Sequence, residues 1–129
     1  MTKRSPLPPA VTARRYAAEQ LGRQAEAQVA ALLQRKGYKI LAQRLKTVSG
    51  EIDLVAANAR QLLFIEVKAR ANFTDASYAL LPAQQARLMR AADAALASHP
   101  AWARAETRFD VALVAAGEVK IIEAAFWQS

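Results

Sequence analysis

Cysteine is absent from the 129-residue sequence, and histidine occurs only once. The lack of cysteine excludes disulfides and thiolate-bound metal ions. A metal ion would therefore need oxygen ligands or the single histidine. Oxygen ligands favour magnesium, manganese or calcium over structural zinc.

The sequence also lacks a long apolar run, and aromatic residues make up only 7% of the chain. No apolar stretch approaches the ~20 residues that a membrane span needs. The segment Met1–Pro9 has basic residues but no apolar stretch, so it does not resemble a signal peptide. So few aromatic residues give little support to a module that stacks single-stranded nucleic acid. We therefore expect a cytoplasmic protein with no membrane partner.

Basic residues outnumber acidic ones: 18 Lys and Arg stand against 11 Asp and Glu, a net charge of +7. At this chain length, which is typical of one domain, such a charge produces a strong positive field that attracts polyanions. Nucleic acid is the natural partner, although a basic protein without a dedicated partner can have the same composition.

The hydrophobic pattern predicts a loose arm over Met1–Ala10, which holds three prolines, and a single domain over 11–129. Good helix formers predict a first helix over 11–36, and Gly37 suits the position where that helix ends. The predicted apolar face of this helix contains Ala18, Leu21, Ala25, Val29 and Leu32.

Alternating and β-branched segments predict strands on both sides of a second helix, which begins at Pro82 and runs to about Ser98. The predicted strands are Tyr38–Leu45, Glu51–Ala57, Leu62–Ala69, Thr107–Val114 and one further strand at Lys120–Phe126. The order α-β-β-β-α-β, with the further strand, predicts an α/β fold with a mixed central sheet flanked by helices. The second helix should connect two parallel strands.

The hairpin of the second and third strands carries the side chains that suggest chemistry. Glu66 and Lys68 project from the same face because side chains alternate along a strand. A turn of two or four residues centred on Ala59–Arg60 places Asp53 across from Glu66 and Glu51 across from Lys68, whereas a three-residue loop would need a bulge. We favour the even register because it places Ile52, Leu54, Leu63, Ile65 and Val67 together on the other face.

Two neighbouring carboxylates repel each other unless a cation lies between them. A hard divalent ion meets that need, lowers the pKa of a bound water and stabilises charge on phosphorus. A lysine nearby can orient the water or neutralise developing charge. Asp53, Glu66 and Lys68 are thus a sufficient set for hydrolysing a phosphodiester. The alternative is a solvated Glu66–Lys68 ion pair worth under ~1 kcal/mol.

Three sequence blocks carry a family resemblance: Gly50–Ala56 (GEIDLVA), Phe64–Arg70 (FIEVKAR) and Arg108–Val111 (RFDV). They resemble the YraN family of small bacterial proteins. That family is predicted to consist of endonucleases of the PD-(D/E)XK, or restriction-endonuclease-like, superfamily, and it is similar to archaeal Holliday-junction resolvases. The resemblance covers about Leu21 to Phe126. It implies a restriction-endonuclease-like fold and an endonuclease that uses Mg²⁺ or Mn²⁺ to cut DNA.

The resemblance implies a role for each matching residue. Asp53 and Glu66 would bind the metal, with the carbonyl of Val67 also facing it, and Lys68 would complete the catalytic set. Glu26 matches a glutamate of the first helix that helps to hold metal or water in related resolvases. The alternative is that Glu26 is an ordinary surface glutamate.

Three further positions bear on the resemblance. Glu51 would support Lys68 or a second metal, unless it is simply the glutamate at the start of a strand. Ala25 stands where the family usually has glycine, which a helix tolerates. Gln84 stands where the family often has lysine, which weakens one phosphate contact.

Basic residues around the predicted site suggest a track for the nucleic-acid backbone: Arg23, Arg44, Lys46, Arg70 and Arg87. The leading hypothesis is a DNA endonuclease, with branched DNA as a candidate substrate, RNA still open, and a homodimer expected by analogy with enzymes that cut two strands. One alternative is a nucleic-acid-binding module that keeps the fold without cleaving. The other is a partner-binding domain whose charge is incidental.

Overall fold

The structure is a computed structural model that describes residues 10–73 and 82–126. Its elements are α1 (Ala10–Arg35), β1 (Lys39–Thr47), β2 (Gly50–Ala57), β3 (Gln61–Ala69), α2 (Pro82–Ser98), the 3₁₀ helix η1 (Pro100–Trp102), β4 (Glu106–Ala115) and β5 (Glu118–Phe126). The predicted order is confirmed, including the further strand. The predicted N-terminal arm lies outside the described residues except for Ala10, at which α1 begins.

The five strands form one sheet in the order β1-β2-β3-β4-β5. Neighbouring strands are antiparallel except for β3 and β4, which are parallel. Because parallel strands need a crossover connection, the chain leaves the end of β3 and returns through α2 to the start of β4. The predicted role of the second helix as the link between parallel strands is confirmed.

Alternating side chains of the strands enter two separate hydrophobic cores, one under each helix. On one side Val55, Phe64 and Phe109 pack with Leu88 of α2, and the two phenyl rings stack with centroids 5.7 Å apart. On the other side, residues of α1 pack on Leu54, Ala56, Leu63 and Ile65. Full burial of each large apolar side chain stabilises the fold by roughly 1.5–3 kcal/mol.

Only the C-terminal half of α1 contacts the sheet. The face that it buries contains Ala25, Val29, Ala30 and Leu33. The predicted face was therefore right for Ala25 and Val29, but it was wrong for Ala18 and for Leu21, which is 53% exposed. The reason is length, because a 26-residue helix extends about 39 Å and reaches beyond the nine-residue strands. Neither α1 nor another helix of the described ranges is both long and apolar enough to cross a membrane.

The turn between β2 and β3 sets the register of the hairpin that carries the predicted site. The side-chain oxygen of Asn58 accepts hydrogen bonds from the N–H groups of Arg60 (2.9 Å) and Gln61 (2.7 Å), and the Asn58 N–H donates to the Gln61 carbonyl. Ala59 and Arg60 thus form a two-residue turn. The resulting pairs run from Ala57–Leu62 to Leu54–Ile65, which confirms the predicted even register.

Ile52 departs from the predicted apolar face. Leu54, Leu63, Ile65 and Val67 lie together on the α1 side, as expected, but Ile52 packs into the core under α2. The alternation of β2 breaks between Ile52 and Leu54, where the regular pairing with β3 also ends. Asp53 lies at this break, so the irregularity of the strand is centred on a predicted catalytic residue.

Candidate functional site

The first feature of the site is the way in which Asp53 closes the β2–β3 ladder. Asp53 and Glu66 are the next residues after the last ladder pair, Leu54–Ile65. The Asp53 carboxylate accepts a hydrogen bond of 2.8 Å from the backbone N–H of Val67. A side chain therefore takes the place of a strand partner, and it fixes the Asp53 carboxylate beside the segment that carries Glu66 and Lys68.

Burial and mutual repulsion make these two carboxyl groups hard to ionise. Desolvation raises the pKa of Glu66 to about 7, the negative charge of Asp53 adds to the rise, and the positive charges of Arg87 and Lys68 oppose it. Desolvation also raises the pKa of Asp53, with the Val67 hydrogen bond acting in the opposite direction and the charges of Glu26 and Glu51 adding to the rise. A cation bound between Asp53 and Glu66 would relieve this penalty.

Glu66 and Lys68 do not form the solvated ion pair that was the alternative interpretation. Both side chains are half-buried. In the part of the chain that the structure describes, neither makes a side-chain hydrogen bond, and no ion pair within 4.0 Å involves either residue. A half-buried carboxylate without a direct partner is costly, and such groups are frequent at functional sites.

Glu26 reaches the site from α1 but is already paired. It is only 9% exposed, and its Oε1 accepts a 2.8 Å hydrogen bond from Nε of Arg44 on β1. Arg44 has a positive φ of 50°, a conformation that costs a non-glycine residue on the order of 1 kcal/mol. This pair was not predicted, because sequence spacing does not show that α1 crosses over β1 at this point.

Arg87 approaches the site from α2, which packs on the opposite face of the sheet from α1. Its side chain lies against Gly50 so closely that a Cβ atom on Gly50 would be 3.0 Å from Nη1 of Arg87. Gly50 has a φ of +136°, which L side chains rarely adopt. The importance of Gly50 was missed in the sequence, although its place directly before the acidic strand was visible.

The remaining predicted residues lie around this centre without joining it. Glu51 is exposed and stands opposite Lys46 of β1, and no ion pair joins it to Lys68 within the described residues. Arg23, Lys46 and Arg70 are exposed, and Arg70 donates a hydrogen bond to the Ala69 carbonyl. Lys46 also lines a cavity of about 400 Å³ between the β1–β2 hairpin and the C-terminal half of α2.

The acids present are sufficient for a metal site only if the backbone or water contributes ligands. Across residues 10–73 and 82–126, no three His, Asp or Glu side chains are grouped closely enough to hold a metal ion by themselves. Asp53 and Glu66 supply two carboxylates, and the predicted carbonyl of Val67 would be a third oxygen ligand. Magnesium ordinarily keeps several waters and binds through one or two carboxylates, so the donor set fits this ion.

Arg108 and Asp110 form a structural pair away from this centre. Asp110 is fully buried, and its Oδ1 accepts hydrogen bonds of 2.9 Å from Nε of Arg108 and from the Ala124 N–H. The pair joins β4 to β5 where their register shifts. Arg108 stands opposite Leu63 near the start of β3, whereas Glu66 and Lys68 lie near its end.

These features define a small α/β protein whose mixed sheet presents two carboxylates and a lysine on adjacent strands. Comparison with known proteins assigns the chain to a family. Residues 25–114 match the model of "Uncharacterised protein family UPF0102", and the chain belongs to this family. It is the YraN family that the sequence blocks indicated.

Relatives from several bacteria cover most of the chain. A UPF0102 protein of Rhodopseudomonas palustris (strain BisB18) is 52% identical over 112 residues, which are 87% of this chain and 83% of the relative. A UPF0102 protein of Acidiphilium cryptum (strain JF-5) is 47% identical over 114 residues, which are 88% of this chain and 89% of the relative. The sequence similarity therefore extends over most of this chain and most of each relative.

Proposed function

We propose that this protein is a divalent-metal-dependent endonuclease of the PD-(D/E)XK superfamily that hydrolyses phosphodiester bonds of DNA. One observation carries the proposal. Asp53 and Glu66 follow the last pair of one hairpin ladder, and the pKa of Glu66 is raised to about 7. Among the described residues, no cation lies within 4.0 Å of the Glu66 carboxylate.

Asp53, Glu66 and the carbonyl of Val67 would hold Mg²⁺ or Mn²⁺, with Glu26 at the margin. When bound, such an ion supplies an activated water and stabilises negative charge on a phosphoryl centre. The Val67 N–H holds the Asp53 carboxylate in place. Lys68 lies two residues beyond Glu66 on the same face of β3, where its ammonium group would orient the attacking water or neutralise the phosphate.

The net positive charge of the chain indicates the kind of partner that we propose. A net charge of +7 favours a polyanion, and Arg23, Lys46 and Arg70 leave exposed cations near the site. Contacts of this kind hold the backbone of a nucleic acid without reading its sequence. We therefore propose DNA as the substrate, with branched DNA the first structure to test and RNA the second. Cytoplasmic location and a homodimer with two sites are part of the same proposal.

A second candidate function is a nucleic-acid-binding module that does not cleave. The observation that favours it is that no third acid joins Asp53 and Glu66 in the described part of the chain, because Glu26 is paired with Arg44. Such a module would bind DNA with an affinity that falls steeply as salt rises, and added metal would yield no cleavage product.

Mn²⁺ calorimetry on the wild type and Asp53→Asn, with DNA cleavage assayed on the same samples, tests the proposal. The variant should bind Mn²⁺ at least about tenfold more weakly, because it loses a charged ligand, while Asp93→Asn, an exposed aspartate of α2, should bind as the wild type does. Equal Mn²⁺ binding by all three proteins would contradict the metal site.

Lys68→Ala separates chemistry from metal binding. We expect cleavage to fall roughly 100-fold or more, as when one group that stabilises the transition state is removed, with Mn²⁺ binding retained. Identical, background-level cleavage by wild type and variant on duplex, flap and four-way DNA would instead favour the binding module.

A further inference from the structure

The structure leaves one half-buried cation, Arg87, without an explained role. Arg87 is half-buried on α2, and its guanidinium group makes no hydrogen bond or ion pair with any described residue. Arginine carries five N–H donors in a planar fork. With no protein partner among the described residues, these donors are available to bind an anion. Such an arrangement is typical of a side chain kept ready for a ligand.

The position of Arg87 is enforced by the chain around it. Its Cγ and Nη1 atoms lie over Gly50, where any Cβ would come within 3.3 Å and 3.0 Å of them. Leu88, the next residue of α2, is fully buried in the core beneath this helix. The side chain of Arg87 thus leaves a rigid helix and passes across a glycine, which directs it to the end of β2 that carries Asp53.

Arg87 is near Glu66 but not bonded to it. Its positive charge acts on the Glu66 carboxyl group, yet the two groups are more than 4.0 Å apart, since no ion pair joins them. A guanidinium that served only as a counter-ion would close this distance, because a charge-assisted bond is shorter and stronger. Arg87 thus lies within electrostatic reach of the acidic pair while its donors remain unused by any described residue.

We propose that Arg87, lying over Gly50, forms a phosphate subsite and binds the non-bridging oxygens of the phosphodiester that is cut. The planar fork of arginine matches the oxygens of a phosphate. Arg44, the other arginine beside the acids, already uses its Nε on Glu26. The inference deepens the proposed function and depends on it for the identity of the substrate, whereas the phosphate subsite itself can be tested without cleavage.

Titration calorimetry with thymidine 3′,5′-bisphosphate tests the subsite, with the protein in Mg²⁺ and again in EDTA. We expect Arg87→Ala to weaken binding by roughly 10- to 100-fold, which is the usual effect of losing hydrogen bonds to a charged group. Arg87→Lys should fall between the wild type and Arg87→Ala. The matched control is Arg90→Ala on the exposed face of the same helix, and its affinity should stay within about twofold of the wild type.

Mn²⁺ affinity distinguishes a phosphate ligand from a residue that only supports the fold. Removing the positive charge of Arg87 should leave Mn²⁺ binding unchanged or slightly tighter, because that charge opposes a cation at Asp53 and Glu66. A merely structural role would weaken Mn²⁺ and bisphosphate binding together and would lower the melting temperature.

Each outcome supports or overturns the phosphate subsite at Arg87. Equal bisphosphate affinity of Arg87→Ala and Arg90→Ala would overturn the subsite. So would the absence of bisphosphate binding by the wild type at about 10 mM, which is roughly 10,000-fold above a Kd of ~1 μM. If the wild type binds no Mn²⁺ but binds bisphosphate through Arg87, the nuclease proposal fails and the phosphate subsite stands. If Mn²⁺ binds normally and Arg87→Ala does not change the affinity for bisphosphate, the phosphate subsite fails and the nuclease proposal stands.

Discussion

Replacing Glu66 by glutamine should stabilise the protein in the absence of metal. Glutamine has almost the same shape as glutamate but cannot ionise, so it avoids the burial of a charge beside Asp53. Raising the pKa of Glu66 from 4.5 to about 7 corresponds, at ~1.36 kcal/mol per pH unit, to up to about 3 kcal/mol of folding free energy. For 129 residues this is a rise of up to about 11 °C in melting temperature.

The raised pKa of Glu66 determines whether the stability of the folded protein rises or falls with pH. Because the pKa of Glu66 is higher in the folded than in the unfolded state, the folded state binds the proton more tightly between about pH 4.5 and 7. The stability of the wild type should therefore fall as pH rises through this window, and the loss should be complete above pH 7. The advantage of Glu66→Gln should be small at pH 4.5 and largest at pH 8.

Urea unfolding in EDTA, measured at half-unit pH steps on the wild type, Glu66→Gln and Glu19→Gln, checks this reasoning. Glu19 is exposed on α1, so its variant should follow the wild-type curve. Added Mn²⁺ should stabilise the wild type at pH 8 and have little effect on Glu66→Gln. Parallel curves for the wild type and Glu66→Gln from pH 4.5 to 8 would refute the argument that burial of Glu66 is costly.

The other predictions concern the fold. Asp110→Ala should destabilise the protein by about 3–5 kcal/mol, because Arg108 and the Ala124 N–H lose their buried partner; urea unfolding measures this, and a loss below about 1 kcal/mol would contradict it. Leu33→Ala should cost about 2–5 kcal/mol, while Leu21→Ala, at a site that is 53% exposed, should change stability by at most about 0.5 kcal/mol. Comparable losses at the two leucines would mean that the N-terminal half of α1 packs against the domain.

The sequence alone determined the element order and the register of the hairpin. Strand alternation and turn position are local, so the turn around Ala59–Arg60 and the shared apolar face favoured the register that places Asp53 opposite Glu66. Glu66 and Lys68 could be assigned to one face for the same reason.

The tertiary structure decided which face of α1 is buried, where Ile52 packs and what the charged residues near the acids contact. Leu21 is apolar and in helical phase with the core, but the sheet ends before it, and no local pattern records where a sheet ends. The hydrogen bond between Arg44 and Glu26 joins β1 to α1. The contact of Arg87 with Gly50 joins α2 to β2. These contacts depend on how the layers stack, and that is a property of the folded chain.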